Sequence, residues 1–390
     1  MSVHLELHAL HSLPPSNPNR DDLGSPKTAT YGGVPRARVS SQSWKRAMRE
    51  HFATAGLIPA DDLSARTRQG IGLLTDAVLK KRPELGDTAA EVAETVLNFA
   101  TGATTDTAAS RRKTTVAAAP ATRETLFLGH RQITRLAELA AAGAEDIDAF
   151  LKTKENAAAA RAAASSRDAI DIALFGRMIA TGDNLTVDAA VQVAHALAVH
   201  RTPVETDFFS AVDDLTRDSG AGMIGRREFV SPTLYRYAVL TGPDLASNLA
   251  EYAGAMSHEK VTAAFVRAFA EAMPSGHITS YAHTTRPTAL LATVTATTPL
   301  NLVGAFETPI ETNGGGHLGP AAARLAVHLA HTNSAYGDPT AQTWLLTTDP
   351  TATAPLHDHA TLITSLSEFT KTCAAELERR TREHTSRAQA

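Results

Sequence analysis

Residues 41–56 read SQSWKRAMREHFATAG, and this stretch limits the fold more tightly than any other. Trp44, Ala47, Met48 and Phe52 form one apolar stripe at helical spacing. Gln42, Lys45, Arg46 and Arg49 fall at i, i+3, i+4 and i+7 and share the opposite face. Ser40 or Ser41 supplies an N-cap and Gly56 a stop. A helix of this kind needs an apolar surface to cover. The preceding chain offers one: Val3, Leu5, Leu7 and Ala9 alternate with His4, Glu6 and His8, the period of a half-buried strand. The two are joined by HSLPPSNPNRDDLGSPKTATYGG (residues 11–33), which reads as a long loop rich in turn-forming residues.

The remaining chain alternates in character. Residues 60–190 are alanine-rich and mostly helical in pattern, which predicts a helical insertion. TVDAAVQVAHALAV and RREFVSPTLYRYAVL have strand composition. Residues 258–273 suit a second amphipathic helix, and ITSYAHTTRPTALLATVTAT one or two strands. A glycine run, NGGGHLG, precedes GPAAARLAVHLAHTN and TLITSLSEFTKTCAAELERR, both read as helical. Without the insertion the order is strand, helix, strands, helix, strand. That order fits an α+β, ferredoxin-like (RRM-like) core. The expected division is 1–59 core, 60–190 helical insertion, 191–203 core, 204–229 an arm, and 230–390 the remaining core with C-terminal helices.

Charge narrows the function. The 390 residues carry a formal net charge of −4, yet the stretch from Arg20 to Arg49 is net +5 and the rest −9. A single basic patch on an acidic chain points to a local anionic partner. The Ser-capped helix N-terminus and its basic face suit backbone phosphates, and Gly32, Gly33, Arg36 and Arg38 extend the patch. The NRDD stretch places Asp21 beside Asp22, a pair that could bind a metal ion; turn capping and pairing with Arg20 is the favoured reading. DFFSAVDDL (207–215), followed by the glycines of SGAGMIG, reads as an arm with apolar tips or as a short helix burying its phenylalanines. The 16 histidines form no zinc set at usual spacing, and no phosphate loop, nucleophile elbow or dinucleotide fingerprint follows a strand. No metal and no cofactor are expected. One cysteine, Cys373, an N-terminus unlike a signal peptide and the lack of a long apolar run lead to a cytoplasmic, membrane-free expectation.

NRDD, YGGVPRARVSSQSWKRAMR, DIALFGRM (171–178), FFSAVDDL and EFVSPTLYRYA, in this order, resemble the CasC family, the repeated backbone subunit of the type I-E CRISPR complex Cascade. The similarity runs from about residue 3 to residue 307. The resemblance implies an RRM-like palm, helical fingers and a β-hairpin thumb, in copies that stack into a helical filament along one CRISPR RNA (crRNA). It implies a non-catalytic role in antiviral defence: bending the guide at intervals and presenting it to target DNA. Implied partners are the large subunit, the small subunit, the 5′-handle-binding subunit, the repeat-processing endoribonuclease and a recruited helicase-nuclease. By motif, Arg20, Lys27, Arg38, Ser40, Gln42, Lys45, Arg46 and Arg49 hold RNA phosphates and sugars. Met178 packs against bases near the kink. Phe209 and Val212 form the thumb wedge, with Ile224 on the returning strand. Family members often carry lysines in the region of residues 307–317, ETPIETNGGGH, which here has none. The alternative is a metal-dependent ribonuclease acting through Asp21 or Asp22, as in related type III subunits.

Overall fold

The computed structural model describes residues 2–106, 120–178, 185–211 and 223–389. The chain divides into two compact units. One comprises Met1–Ala55, Gln192–Pro243 and Glu259–Ala390; the other comprises Gly56–Val191 and Asp244–His258. No described helix is long and apolar enough to cross a membrane.

The first unit is α+β, built on a mixed sheet. Its strands are β1 (His4–Ser12), β2 (Thr28–Tyr31) and β3 (Val34–Val39) from the N-terminal part of the chain. Chain order interposes β4 (Ser64–Thr67) and β5 (Leu126–Gly129), which pair with each other in the second unit. Then come β6 (Val191–Val193), β7 (Ala196–Ala198), the arm strands β8 (Glu205–Ala211) and β9 (Met223–Phe229), and β10 (Thr233–Thr241). The sheet is completed by β11 (Ala289–Thr295), β12 (Gln342–Thr347) and β13 (Thr361–Ile363). The sheet order is β13-β12-β11-β1-β10-β7-β3-β2, with β6 also on β10; β12 and β13 run parallel, while β1 is antiparallel to both β10 and β11.

β1 corrects the half-buried reading. It lies between β10 and β11, and all its residues except the two ends are buried. Leu5, Leu7, Ala9 and His11 face one side; Glu6, His8 and Leu10 face the other, beside Tyr235 and Tyr237 of β10. The polar alternation is solvated internally. His8 Nε2 lies 3.2 Å from Glu6 Oε2, and Tyr235 Oη lies 2.8 Å from His8 Nδ1 while accepting the Leu302 amide at 3.0 Å. Burial raises the Tyr235 pKa, keeping the phenol a neutral donor. Leu10, Tyr235 and Val239 join Leu302, Phe306, Ala321, Leu325 and Leu329 in one core, closed by the helix Leu318–Tyr336.

The opposite face of β10 carries a cation. Arg236 is 2% exposed, with its guanidinium 3.7 Å from the Trp44 ring and 4.5 Å from the Phe269 ring. It donates to the Phe269 carbonyl, near the end of the helix His258–Glu271, and to His11 Nδ1 at 3.1 Å. A cation suits the carbonyl end of a helix. Burial lowers its pKa to about 9.

Two sequence readings change further. TLITSLSEF is not helical from its start: Thr361–Ile363 adds an edge strand before the helix Leu366–Gln389. Within the 11–33 loop, Thr28–Tyr31 pairs with Val34–Val39 in a hairpin turned by Gly32 (φ 59°) and Gly33 (φ 78°). Positive φ at both central residues fits a tight hairpin turn.

The second unit is mainly helical. Helices α2 (Gly70–Lys81), α3 (Thr88–Thr101), His130–Ala142 and Lys154–Ser165 bury Leu74, Val78, Val96, Leu97, Leu136 and Ala160 in one cluster. The segment Asp244–His258 joins it, with Asn248 Nδ2 donating to the carbonyls of Ala173 (3.0 Å) and Asp188 (2.8 Å).

Candidate nucleic-acid interface

Helix α1 (Ser41–Thr54) forms as its sequence requires. The Ser43 amide donates to Ser40 Oγ at 3.3 Å, so Ser40 is the N-cap. Trp44, Ala47, Met48 and Phe52 are all buried. That burial turns Gln42, Lys45, Arg46 and Arg49 outward. Arg46 forms an exposed pair with Glu50 at 2.7 Å, of the kind worth roughly 0–1 kcal/mol. Lys45 is half-buried, and burial lowers its pKa.

Asn19 gathers the rest of the patch. Its side-chain oxygen accepts the Ser40 amide at 2.8 Å, and its backbone carbonyl accepts the Lys27 amide at 2.9 Å. The Lys27 carbonyl accepts the Arg38 amide at 2.9 Å. One asparagine thus ties the loop after β1, the β2–β3 hairpin and the start of α1 together. Arg20, Lys27, Arg38, Ser40, Gln42, Lys45, Arg46 and Arg49 all belong to these three pieces.

Arg36 does not join them, which corrects its place in the basic run. Its side chain is fully buried. It donates to the carbonyls of Tyr31 (3.2 Å), Ala198 (3.0 Å), Phe306 (3.1 Å) and Glu307 (3.1 Å). Burial lowers its pKa. The guanidinium is spent on carbonyls and fastens the entry of the lysine-free loop. Ile310 donates to the Val199 carbonyl at 2.9 Å, and His317 stacks on His200 at 3.7 Å, so the loop is held at its far end as well.

Asp21 serves its own turn. Its Oδ1 accepts the amides of Leu23 and Ser25, both at 2.9 Å. Arg20 does not pair with it: its Nη1 donates to His277 Nε2 at 3.0 Å. A cleft of about 560 Å³ lies here, lined by Arg20, Arg46 and His277 together with Asp21, Asp22 and Glu50.

Two histidines were not singled out by the sequence. His195 Nδ1 accepts from Arg38 Nη1 and from the Ser41 amide, each at 3.2 Å. His277 receives Arg20. An arginine has no acceptor, so each imidazole nitrogen must be the bare one. Burial first, then neighbouring cations, lower both pKa values: Arg38 and Lys27 beside His195, Arg20, Arg227 and His283 beside His277. Isolated histidines far along the chain gave no signal of this.

The arm is a two-stranded ribbon, not a short helix: Glu205–Ala211 pairs with Met223–Phe229. Phe209 is opposite Gly225, and its ring covers the place a Cβ would take, 2.3 Å away. Ser210 is opposite Ile224. Strand alternation therefore places Phe209 and Ile224 on opposite faces of the ribbon. Ile224 (72% exposed) shares its face with Phe208 (61% exposed), which sequence reasoning passed over. Arg226 lies over Phe208 and Arg227 over Phe209, each at 4.9 Å. Val212 lies outside the described residues.

Met178 belongs to the second unit. Arg177 beside it is buried, bridged to Val187 and donating to Gln132 Oε1 at 3.3 Å. Met178 itself projects outward, 91% exposed.

Comparison with known structures and families gives the arrangement a context. The chain is 31% identical to a chain described as "CRISPR RNA-guided surveillance complex, pre-nicking", at a TM-score of 0.79, covering 96% of this chain and 100% of that one. It is 28% identical to a chain of a "CRISPR RNA-guided surveillance complex", at a TM-score of 0.70, covering 96% and 99%. A search of curated proteins finds no match. Residues 5–372 match the family of CT1975-like proteins (Cas_CT1975), and the chain belongs to that family.

Proposed function

We propose that this chain is a non-catalytic, crRNA-binding backbone subunit of a type I-E CRISPR surveillance complex. Identical copies line up along one guide RNA, each holding sugar–phosphate backbone and leaving bases free to pair with target DNA. The mixed sheet with α1 serves as an RRM-like palm, the helical unit as fingers and the β8–β9 ribbon as a thumb. The other Cascade subunits and a helicase-nuclease complete the defence.

The observation that carries this reading is the Asn19 junction. It collects cations and a capped helix end into one unit, with Lys45, Arg46 and Arg49 turned away from the core. Phosphate contacts position a strand without reading its sequence, the division of labour that RNA-guided recognition needs. The engagement of Asp21 with two backbone amides gives it a turn-holding role and supports the non-catalytic assignment.

The test is a Lys45→Ala/Arg49→Ala double variant titrated with single-stranded guide RNAs of different sequence at several salt concentrations. Affinity falls by a similar factor for every sequence. The log–log salt slope drops by about 1.4, near 0.7 per lost phosphate contact. Unchanged affinity and slope overturn the reading.

A further inference from the structure

Beside the Arg20–His277 contact lies a second cleft, of about 350 Å³. It lies at the root of the β8–β9 ribbon and is lined by Arg20, Arg226, Arg227, His277, Tyr281 and the single acid Glu228, with neutral or apolar residues completing the wall. That volume is at the lower end of small-molecule sites, roughly 300–1,000 Å³. Arg227 is held by Ser280, whose Oγ accepts Nη1 at 2.9 Å. Tyr281 meets the His277 ring edge-on at 6.2 Å and the Phe229 ring at 6.2 Å. The backbone bends sharply around them: His277 and Ala282, at φ 52° and 45°, are the only non-glycine residues with positive φ among the described residues.

The cluster gathers arginines with one acid and places a neutral imidazole where a cationic group would expect an anion. Arg20 donates to the imidazole and not to a carboxylate, although Asp21, Asp22 and Glu50 line the adjoining cleft. The same arrangement recurs at Arg38 and His195, on another part of the interface.

We infer that His277, with Arg20, Arg227 and Tyr281, forms a further nucleotide subsite: the arginines and imidazole take one phosphodiester of single-stranded RNA, and Tyr281 offers a ring to its base. The inference rests on the RNA-binding reading above. A phosphate oxygen is the stronger acceptor for Arg20 and displaces His277 Nε2 from it. The freed nitrogen then meets an anion in place of a guanidinium, so His277 gains a proton when RNA binds. The groups facing His277 are Arg20 from the loop after β1, Arg227 from β9, and His283 and Tyr281 from its own segment; Asp21, Asp22, Glu50 and Glu228 line the adjoining clefts. RNA affinity therefore rises as pH falls from 7.5 to 6.

The test uses the full chain and a dye-labelled single-stranded RNA in anisotropy titrations at constant ionic strength. The key variant is His277→Asn, because asparagine tolerates the left-handed backbone at this position. The expected result is an affinity loss of about three- to ten-fold at pH 6, a smaller loss at pH 7.5 and a flatter pH profile. Calorimetry on the unaltered protein at pH 6.5, in buffers of different ionisation enthalpy, gives an independent measure that does not depend on the variant folding: protons are taken up on binding. Wild-type affinity in His277→Asn at pH 6, or no proton uptake, overturns the subsite. If Lys45→Ala/Arg49→Ala weakens binding while His277→Asn does not, only this inference fails. If neither does, the RNA-binding reading fails with it.

Discussion

The backbone of Gly32 runs against the carbonyl of Glu307: a Cβ built on Gly32 would lie 1.6 Å from that oxygen. Its neighbour Gly33 has a similar positive φ but open space around it. The two glycines therefore separate steric contact from backbone strain. Gly33→Ala is expected to cost about 1 kcal/mol, the strain of a left-handed residue. Gly32→Ala adds a backbone clash and is expected to cost about 3 kcal/mol or more. Urea denaturation of the two variants checks the ordering.

Arg36 belongs to the same contact, donating to the same Glu307 carbonyl at 3.1 Å. Removing it leaves several buried carbonyls without a donor, each worth roughly 1–3 kcal/mol, offset by release of a buried charge. Arg36→Met is expected to lower stability by about 2–4 kcal/mol. Its RNA affinity, measured well below the melting transition, is expected to stay within about two-fold, since the side chain is enclosed. A large affinity loss in a well-folded Arg36→Met protein would contradict the structural role.

Arg236 makes a prediction about geometry. Its planar guanidinium fits between Trp44 and Phe269 while capping a helix carbonyl. A lysine keeps the charge without the plane or the fork of donors. Arg236→Lys is expected to be less stable than Arg236→Met by about 1–2 kcal/mol, because methionine fills the slot between rings without burying a poorly partnered charge. Thermal melts of the two variants decide the order.

His200 predicts a pH dependence. Its Nδ1 donates to the Arg201 carbonyl at 2.7 Å, and its Nε2 accepts the Thr233 amide at 3.1 Å, so the neutral ring is built in. Burial first, with His317 and Arg36 adding to it, lowers its pKa to about 4. Below an ordinary histidine value near 6.5 the unfolded chain binds the proton more readily than the folded one. The stabilisation is thus complete above about pH 6.5 and is lost as pH falls toward 4. His11, also lowered by burial, acts in the same direction. Over this window the His200 contribution is on the order of 3 kcal/mol. Denaturation midpoints at pH 7 and pH 5 test this, and His200→Gln flattens the difference.

The sequence revealed α1 completely because cap, stripe and stop are all local signals: Ser40, the Trp44–Phe52 face and Gly56 lie within one short segment. It misread Arg36 because a guanidinium looks the same whether it awaits a phosphate or is spent on Phe306 and Glu307, far along the chain. The polar positions of β1 suggested solvent, but Glu6 and His8 are satisfied by each other and by Tyr235, more than two hundred residues away. His195 and His277 were illegible for the same reason: their meaning comes from Arg38 and Arg20, which the fold brings to them.

The arm has one more consequence. Because each side of the ribbon stacks its own arginine on its own phenylalanine, yet one side adds the bare Ile224 while the other folds Phe209 over Gly225, front and back are chemically unequal. Such a ribbon is two-faced: turned over, it would exchange the surface of Phe208 and Ile224 for one in which the Phe209 ring covers Gly225.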